Sequence, residues 1–328
     1  MNRLHLRQDV TIPAVVLAVT AVAFFVSPAI SGATLTSFSV FNVFQQLAWL
    51  APLTLALGIT LMCGEFDLSV AGIAPLAAVL AIRFGDESPY VGAAAALGVG
   101  LVIGLVQGVL VSRLQISSVP VTMATYIALT GGTLWASGNQ ILSYDNSDVA
   151  LWITKPVMTV LSPGTLIAGA LALAIGLAMG LTTWGRDSRA VGSDRRAARA
   201  SGVRVDAVLV LAFTSSGALA ACSGVLLSFS TASANPNPDI KTLVLAVVAA
   251  LAGGATLKGG RGRVVGILAG ALAICFLQAI FSVNALEDSL SQFLFATLLL
   301  AVAAADAPDL ARSVSRLTSA RIPTGEPS

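Results

Sequence analysis

The sequence predicts an all-α fold, a polytopic transmembrane helical bundle, and three observations predict it. Of 328 residues, 56% are hydrophobic and 10% charged, with a mean hydropathy of +0.89. A soluble domain carries about 25% charged residues, so this chain lacks the groups to cover its outside against water. Its apolar stretches run for roughly 18–24 residues without alternation, a helix crossing length and about twice a barrel strand. Its basic residues are gathered into a few short segments between those stretches. In lipid, every backbone N–H and C=O must be satisfied within the chain, and long unalternating stretches do this as helices.

Ten spans follow in order, as one membrane domain with tails at 1–9 and 306–328 around a bundle at 10–305. The first, 10–30, follows Arg3 and Arg7 and precedes Ser31-Gly32-Ala33, a pattern shared with signal peptides. Its apolar core exceeds their usual ~7–15 residues, so it reads as a retained span. The second, 39–62, carries Gln45 and Gln46, and a short hairpin or re-entrant turn leads to the third, 68–83. The fourth, 90–112, contains Gln107, and the fifth, 120–137, contains Thr122 and Tyr126, with Asn139 just beyond. Segment 138–162, with Asp145, Asp148, Trp152 and Pro156, reads as a loop with a short interfacial helix. The sixth and seventh spans, 163–183 and 207–229, flank the basic segment 184–206. The eighth, 240–256, and ninth, 264–283, meet at a Gly-rich turn, and the ninth carries Gln278. The tenth, 289–305, ends before a polar tail with Pro308, Pro323 and Pro327.

Placing both termini in the cytoplasm collects 15 of the 18 basic residues on the inner side and leaves Arg83, Lys155 and Lys241 outside. Shifting the count by one at either hairpin scatters these charges, so the positive-inside rule favours ten spans.

Enzyme chemistry has little to draw on. The only histidine, His5, sits in the N-terminal tail. Cys63, Cys222 and Cys275 are isolated in apolar surroundings, without metal-ligand spacing and odd in number for disulfides. No phosphate loop, nucleophile elbow or H-E-x-x-H is present, so the chain is not its own ATPase.

Three segments stand out. In GEFDLSVAG, residues 64–72, Glu65 and Asp67 adjoin long apolar runs, where a carboxylate costs about 2.5–3.5 kcal/mol at bilayer centre. Asp67 is placed to cap the third span by accepting from Ser69 and Val70 N–H groups. Glu65 has no such local role, and intramembrane charges are functional candidates. In segment 184–206, Ser193 and Asp194 start a short helix and Gly202 stops it. Its Ala197, Ala200 and Ser201 share one side, Arg195 and Arg199 another, at i and i+4. A small-residue face flanked by arginines suits docking into another protein's groove; the alternative is an arginine cluster at anionic headgroups. In residues 251–266, LAGGATLKGGRGRVVG, glycines flank Lys258, Arg261 and Arg263, which equally satisfy simple topology.

In this order, the three segments resemble the permease subunits of monosaccharide-type ABC importers, the ribose permease family. There the first commonly reads GGIDLSVG; this chain keeps Gly64, Asp67, Leu68, Ser69, Val70 and Gly72. Arg196-Ala197-Ala198-Arg199-Ala200-Ser201-Gly202 matches a cytoplasmic E-A-A-R-x-S-G, with Arg196 where the family has an acidic residue. Gly253, Gly254, Leu257, Gly259, Gly260, Arg261, Gly262 and Gly266 match G-G-x-x-L-x-G-G-R-G-x-x-x-G. The resemblance spans about residues 40–305.

The resemblance implies a permease in the bacterial inner membrane, paired with a second copy or a sister permease. It further implies two ATP-binding cassettes docked at the cytoplasmic face and a periplasmic binding protein that delivers a sugar or related solute. Residues 193–202 would transmit cassette closure, and replacing Ala198 with Trp is expected to uncouple hydrolysis from uptake. No cofactor is expected in this chain, ATP with Mg belonging to the partner, and no nucleic-acid partner is expected. Gln45, Gln46, Gln107, Thr122, Tyr126, Asn139 and Gln278 are candidates to line the path, or equally interhelical hydrogen-bond glue. The rival reading is a carrier driven by an ion gradient through Glu65 and Asp67, which leaves the basic helix at 193–202 without a purpose.

Overall fold

The structure is a computed structural model and describes residues 3–31, 34–86, 88–157, 159–237 and 240–305. The tail 306–328, with Arg312, Arg316 and Arg321, lies outside the described residues. Among those described, thirteen helices and two short strands follow one another. They are α1 (Arg3–Ser31), α2 (Ser37–Met62), α3 (Val70–Arg83), α4 (Pro89–Arg113), α5 (Ser118–Ser137), β1 (Leu142–Ser143), α6 (Ser147–Thr154), α7 (Pro163–Leu181), α8 (Thr183–Ser193), α9 (Arg195–Ala200), α10 (Val205–Thr231), β2 (Ser233–Ala234), α11 (Ile240–Ala252), α12 (Val264–Val283) and α13 (Asp288–Ala305).

Six helices (α1, α2, α4, α7, α10 and α12) are long and apolar enough to cross a membrane, and α3, α11 and α13 contribute shorter apolar runs. Each expected span has a helix, but two are curtailed. The eighth stops at Ala252 rather than 256, because Gly253 and Gly254 begin a turn in which Gly254 takes a positive φ of 87°. The third begins at Val70, after a turn that starts at Gly64 with φ 76°.

The centre of the bundle is α2 from Leu50 to Met62, buried on every face. A helix apolar all round belongs in the interior. Around it pack α10, α12, α7 and α11, while α3 and α4 lean on α10 and α1 on α12. The α4–α10 contact is the most extensive, because small residues let backbones approach. A Cβ added at Gly104 would lie 2.3 Å from the Phe213 carbonyl oxygen, and one at Gly217 would lie 2.2 Å from that of Gly100. That glycine stripe brings Gln107 and Ser216, each next to a stripe glycine, into the same layer.

At the opposite end, the loops are tied together. Leu142 and Ser143 of β1 pair antiparallel with Ala234 and Ser233 of β2. Tyr144 donates from its hydroxyl to the Gly85 carbonyl at 3.0 Å and stacks on Phe229. The short helix expected in 138–162 is α6, capped by Asn146, whose side chain accepts from Val149 N–H.

Candidate functional site

The three sequence segments converge at one end of the bundle. Gly260 N–H donates to the Met62 carbonyl oxygen at 3.1 Å, joining the loop after α11 to the end of α2. Between them sits Gly192, near the end of α8: a Cβ there would stand 2.1 Å from Met62 O and 2.5 Å from Gly260 N. Gly259 approaches Gly64 so closely that its Cβ would fall 2.5 Å from Gly64 Cα, and a Cβ on Gly260 would meet Ser193 Oγ at 2.2 Å. Backbone therefore rests on backbone in a three-way junction, with the Ser193 hydroxyl packed against Gly260.

A charge pair spans the same junction. Glu65, 5% exposed, accepts from the Arg195 guanidinium at the first residue of α9. The carboxylate without a local role in the sequence thus has a partner 130 positions away.

Asp67 sits deeper. Its Oδ1 accepts from Ser69 N–H at 3.0 Å and Ser69 Oγ at 2.6 Å, and its Oδ2 accepts from Ser216 Oγ of α10 at 2.7 Å. The expected cap from Ser69 N–H is present; the expected bond from Val70 is not, because Oδ2 turns to α10 and Ser69 takes the N-cap position. Gln107 lies 3.1 Å from Ser69 Oγ through its Oε1, while its Nε2 has no partner. A hydroxyl has one proton, and Ser69 commits it to Asp67. Turning the Gln107 amide so that Nε2 donates to Ser69 Oγ completes the net. Thr122 Oγ1 donates to the Ser118 carbonyl of its own helix at 2.9 Å and lies 3.4 Å from the Phe66 carbonyl, which places α5 beside the same knot.

The short helix forms as its sequence dictates. Asp194 accepts from Arg196 and Ala197 N–H groups at 2.8 and 3.0 Å, which satisfies free donors at the N-terminus of α9. Gly202, with φ 84°, ends it in the left-handed conformation that a Cβ disfavours. Ala197, Ala200 and Ser201 are exposed, as are Arg195, Arg196 and Arg199. Ala198 is buried at 5%, a correction to its expected docking role: it faces the bundle. A cavity of about 460 Å³ lies beneath, lined by the three arginines together with Ser112, Gln115 and Asp206. Arg199 pairs with Asp206 at 3.1 Å. The amphipathic helix α8, which the sequence reading left inside one basic segment, is an element of its own, separated from α7 by Thr182.

The candidate lining residues are not brought together. Gln107 belongs to the Asp67 knot and Thr122 lies beside it. Gln45 accepts from Ser162 Oγ at the start of α7, Gln46 is half-buried with an unpartnered Oε1, and Tyr126 and Gln278 are half-buried on α5 and α12. Asn139 is exposed at the end of α5, with φ 66°. Gly72 packs against α5, a Cβ there falling 3.0 Å from Leu129 Cβ, while Arg261 and Gly262 lie in the loop of the junction.

Comparison with known proteins agrees with this reading of the motifs. A match to the family described as branched-chain amino acid transport system/permease component covers residues 40–303. The ribose import permease protein of Escherichia coli is 31% identical over 247 residues, 73% of this chain and 76% of that protein. The fructose import permease protein of Rhizobium meliloti is 28% identical over 274 residues, 80% of this chain and 75% of its own. The autoinducer 2 import system permease protein of Yersinia pseudotuberculosis is 31% identical over 258 residues, 76% of this chain and 72% of its own. No solved structure matches. With the match running from the second helix into the last, the chain belongs to the branched-chain amino acid transport system permease component family, as a membrane permease subunit and not an enzyme.

Proposed function

We propose that the chain is the permease subunit of an ATP-driven importer for a monosaccharide or a related hydroxylated solute, in the bacterial inner membrane. Ten helices cross (α1–α5, α7 and α10–α13), with both termini in the cytoplasm, and two permease chains, identical or sister, enclose the path. An ATP-binding cassette, which holds ATP and Mg, docks on the exposed Ala197–Ala200–Ser201 face of α9. A periplasmic binding protein delivers the solute to the opposite end, where α6 and the β1–β2 pair lie.

One observation carries this reading: α9 is fastened to the rest of the chain by the Glu65–Arg195 pair and, through the end of α8 that leads into it, by backbone contact at Gly192. A push on α9 therefore reaches the ends of α2, α3 and α12 by two routes, through the backbone of adjoining α8 at Gly192 and through the Glu65–Arg195 pair. For the cassettes to drive the cycle, they must bind the outward and inward forms with different affinity, and α9 is the element that both forms present. In place of the family's acidic residue, exposed Arg196 makes this face more basic, so the cassette groove that receives it is acidic at that position. The gradient-driven alternative needs a carboxylate free to exchange protons or ions. Glu65 is held by Arg195, and both Asp67 oxygens accept hydrogen bonds.

The test is gentle purification of the tagged chain from native membranes and mass spectrometry of what accompanies it. A Walker-motif ATPase together with a sugar-binding periplasmic protein is the expected result. Repeated recovery of the chain alone, from membranes in which it transports, would overturn the proposal in favour of the gradient-driven carrier.

A further inference from the structure

A second cavity, larger than the one beneath α9, lies away from the Asp67 knot. It occupies about 1160 Å³ between α2, α7 and α12, more than the roughly 300–1,000 Å³ of an ordinary small-molecule pocket. Its cause is local. At one end α7 is pinned to α2, with Thr165 Oγ1 donating to the Phe44 carbonyl oxygen at 3.1 Å. Along its length α7 packs mainly on α2 and only lightly on α12, leaving a gap. Gly169 and Gly180 face that gap, and a Cβ on either would meet nothing within 4 Å.

The walls are unsuited to a sugar. They are built from leucines, alanines and glycines, and the hydroxyl of Thr165 is already committed. A hydroxylated solute entering would lose its water without replacement partners. The groove also opens sideways: Leu173, Leu177 and Val265 on its rim are 63%, 49% and 76% exposed. At the junction end the character changes. Arg189 of α8 and Arg263, just before α12, line the mouth, and no carboxylate lines the groove among the described residues. A guanidinium carries five N–H donors, so contacts each arginine makes within the chain leave donors for a phosphate.

We propose that this groove holds an anionic phospholipid, its acyl chains between α7 and α12 and its phosphate across Arg189 and Arg263. The fit is of chemistry and of length. The 19 residues of α7 extend about 28 Å, close to the hydrocarbon thickness of about 30 Å, so a groove along it accepts a chain in line with the surrounding lipid. Negative charge matches the two arginines at the headgroup level. Arg189 and Arg263 belong to α8 and to the loop leading into α12, the two arms that meet at Gly192 and Gly260. One bound phosphate therefore ties those arms together beside the junction.

The experiment uses the purified full chain in nanodiscs of phosphatidylcholine doped with photoactivatable phosphatidylglycerol, carrying its diazirine in the acyl chain. Labelled peptides are mapped by mass spectrometry. A nanodisc offers the lipid on both faces, so the result does not depend on which way the chain is oriented or on what it transports. Labelling is expected to concentrate in 166–180 and 264–272 over the exposed α4 face at Leu101, Val102 and Leu105. Arg189→Gln and Arg263→Gln should each lower groove labelling about fivefold. Gly169→Leu, a good helix former in open space, should block it while leaving the α4 labelling unchanged. Labelling of the groove no stronger than that of α4, or equal with a phosphatidylcholine probe, would overturn the proposal. So would a groove protected from both probes, because it would then be covered by a second protein chain.

Discussion

Glu65 is 5% exposed while the Arg195 side chain keeps 45%, so the two members of this pair are not equivalent. Arg195→Ala leaves a buried carboxylate without its partner and should cost about 1–3 kcal/mol, less than a fully buried pair because Arg195 is half in water. Glu65→Gln leaves a cation that water can solvate and should cost less than about 1 kcal/mol. Thermal unfolding in detergent should rank the two in that order. The serines of α10 offer a matched contrast. Ser216 donates to Asp67, whereas Ser215 donates to Ala212 of its own helix. Ser216→Ala should lower stability by about 1–3 kcal/mol, the cost of an acceptor stripped of its donor. Ser215→Ala should be nearly silent in the same assay.

At the scale of the element, α9 has two faces that answer differently to a bulky residue. Ala197→Trp adds a ring on the exposed face and should leave the fold intact. It should lower uptake by more than about tenfold, within the usual range of coupling energies, while cassette hydrolysis persists. Ala198→Trp drives a ring into the bundle and should instead reduce the amount of folded protein, as overpacking does. Uptake and ATPase assays on proteoliposomes, beside a measure of folded yield, separate the two. Helix α9 was legible in the sequence because its signals are local: Asp194 and Gly202 act within a few residues of themselves. The destination of Ala198 was not, because a six-residue helix has no period long enough to reveal which side is buried. The partner of Glu65 was equally hidden, since no spacing rule links positions 65 and 195.

For the whole molecule, hydropathy foretold a helix at each expected span but not how the helices touch. The Gly-rich segments were visible as motifs; that they meet backbone to backbone depends on the packing of α2, α8 and α12. The proposed topology can be checked directly. Cys63 and Cys275 are buried and Cys222 is half-buried, so the background for thiol labelling is low. A membrane-impermeant maleimide should reach Ser201→Cys only in inside-out vesicles and Leu151→Cys only in right-side-out ones. Labelling of both from one side would remove the crossing assigned to α7.

The pairing of β1 with β2 joins positions about ninety residues apart in the chain. During synthesis, at about 5–20 residues per second, β1 emerges some 5–20 s before its partner exists. Over that interval the loop carrying Tyr144 lacks β2 as well as Phe229, the ring on which Tyr144 stacks. The fastening of that face is therefore a late event, completed only when α10 has been inserted. Until then the helices that precede α10 must hold their places by their own contacts.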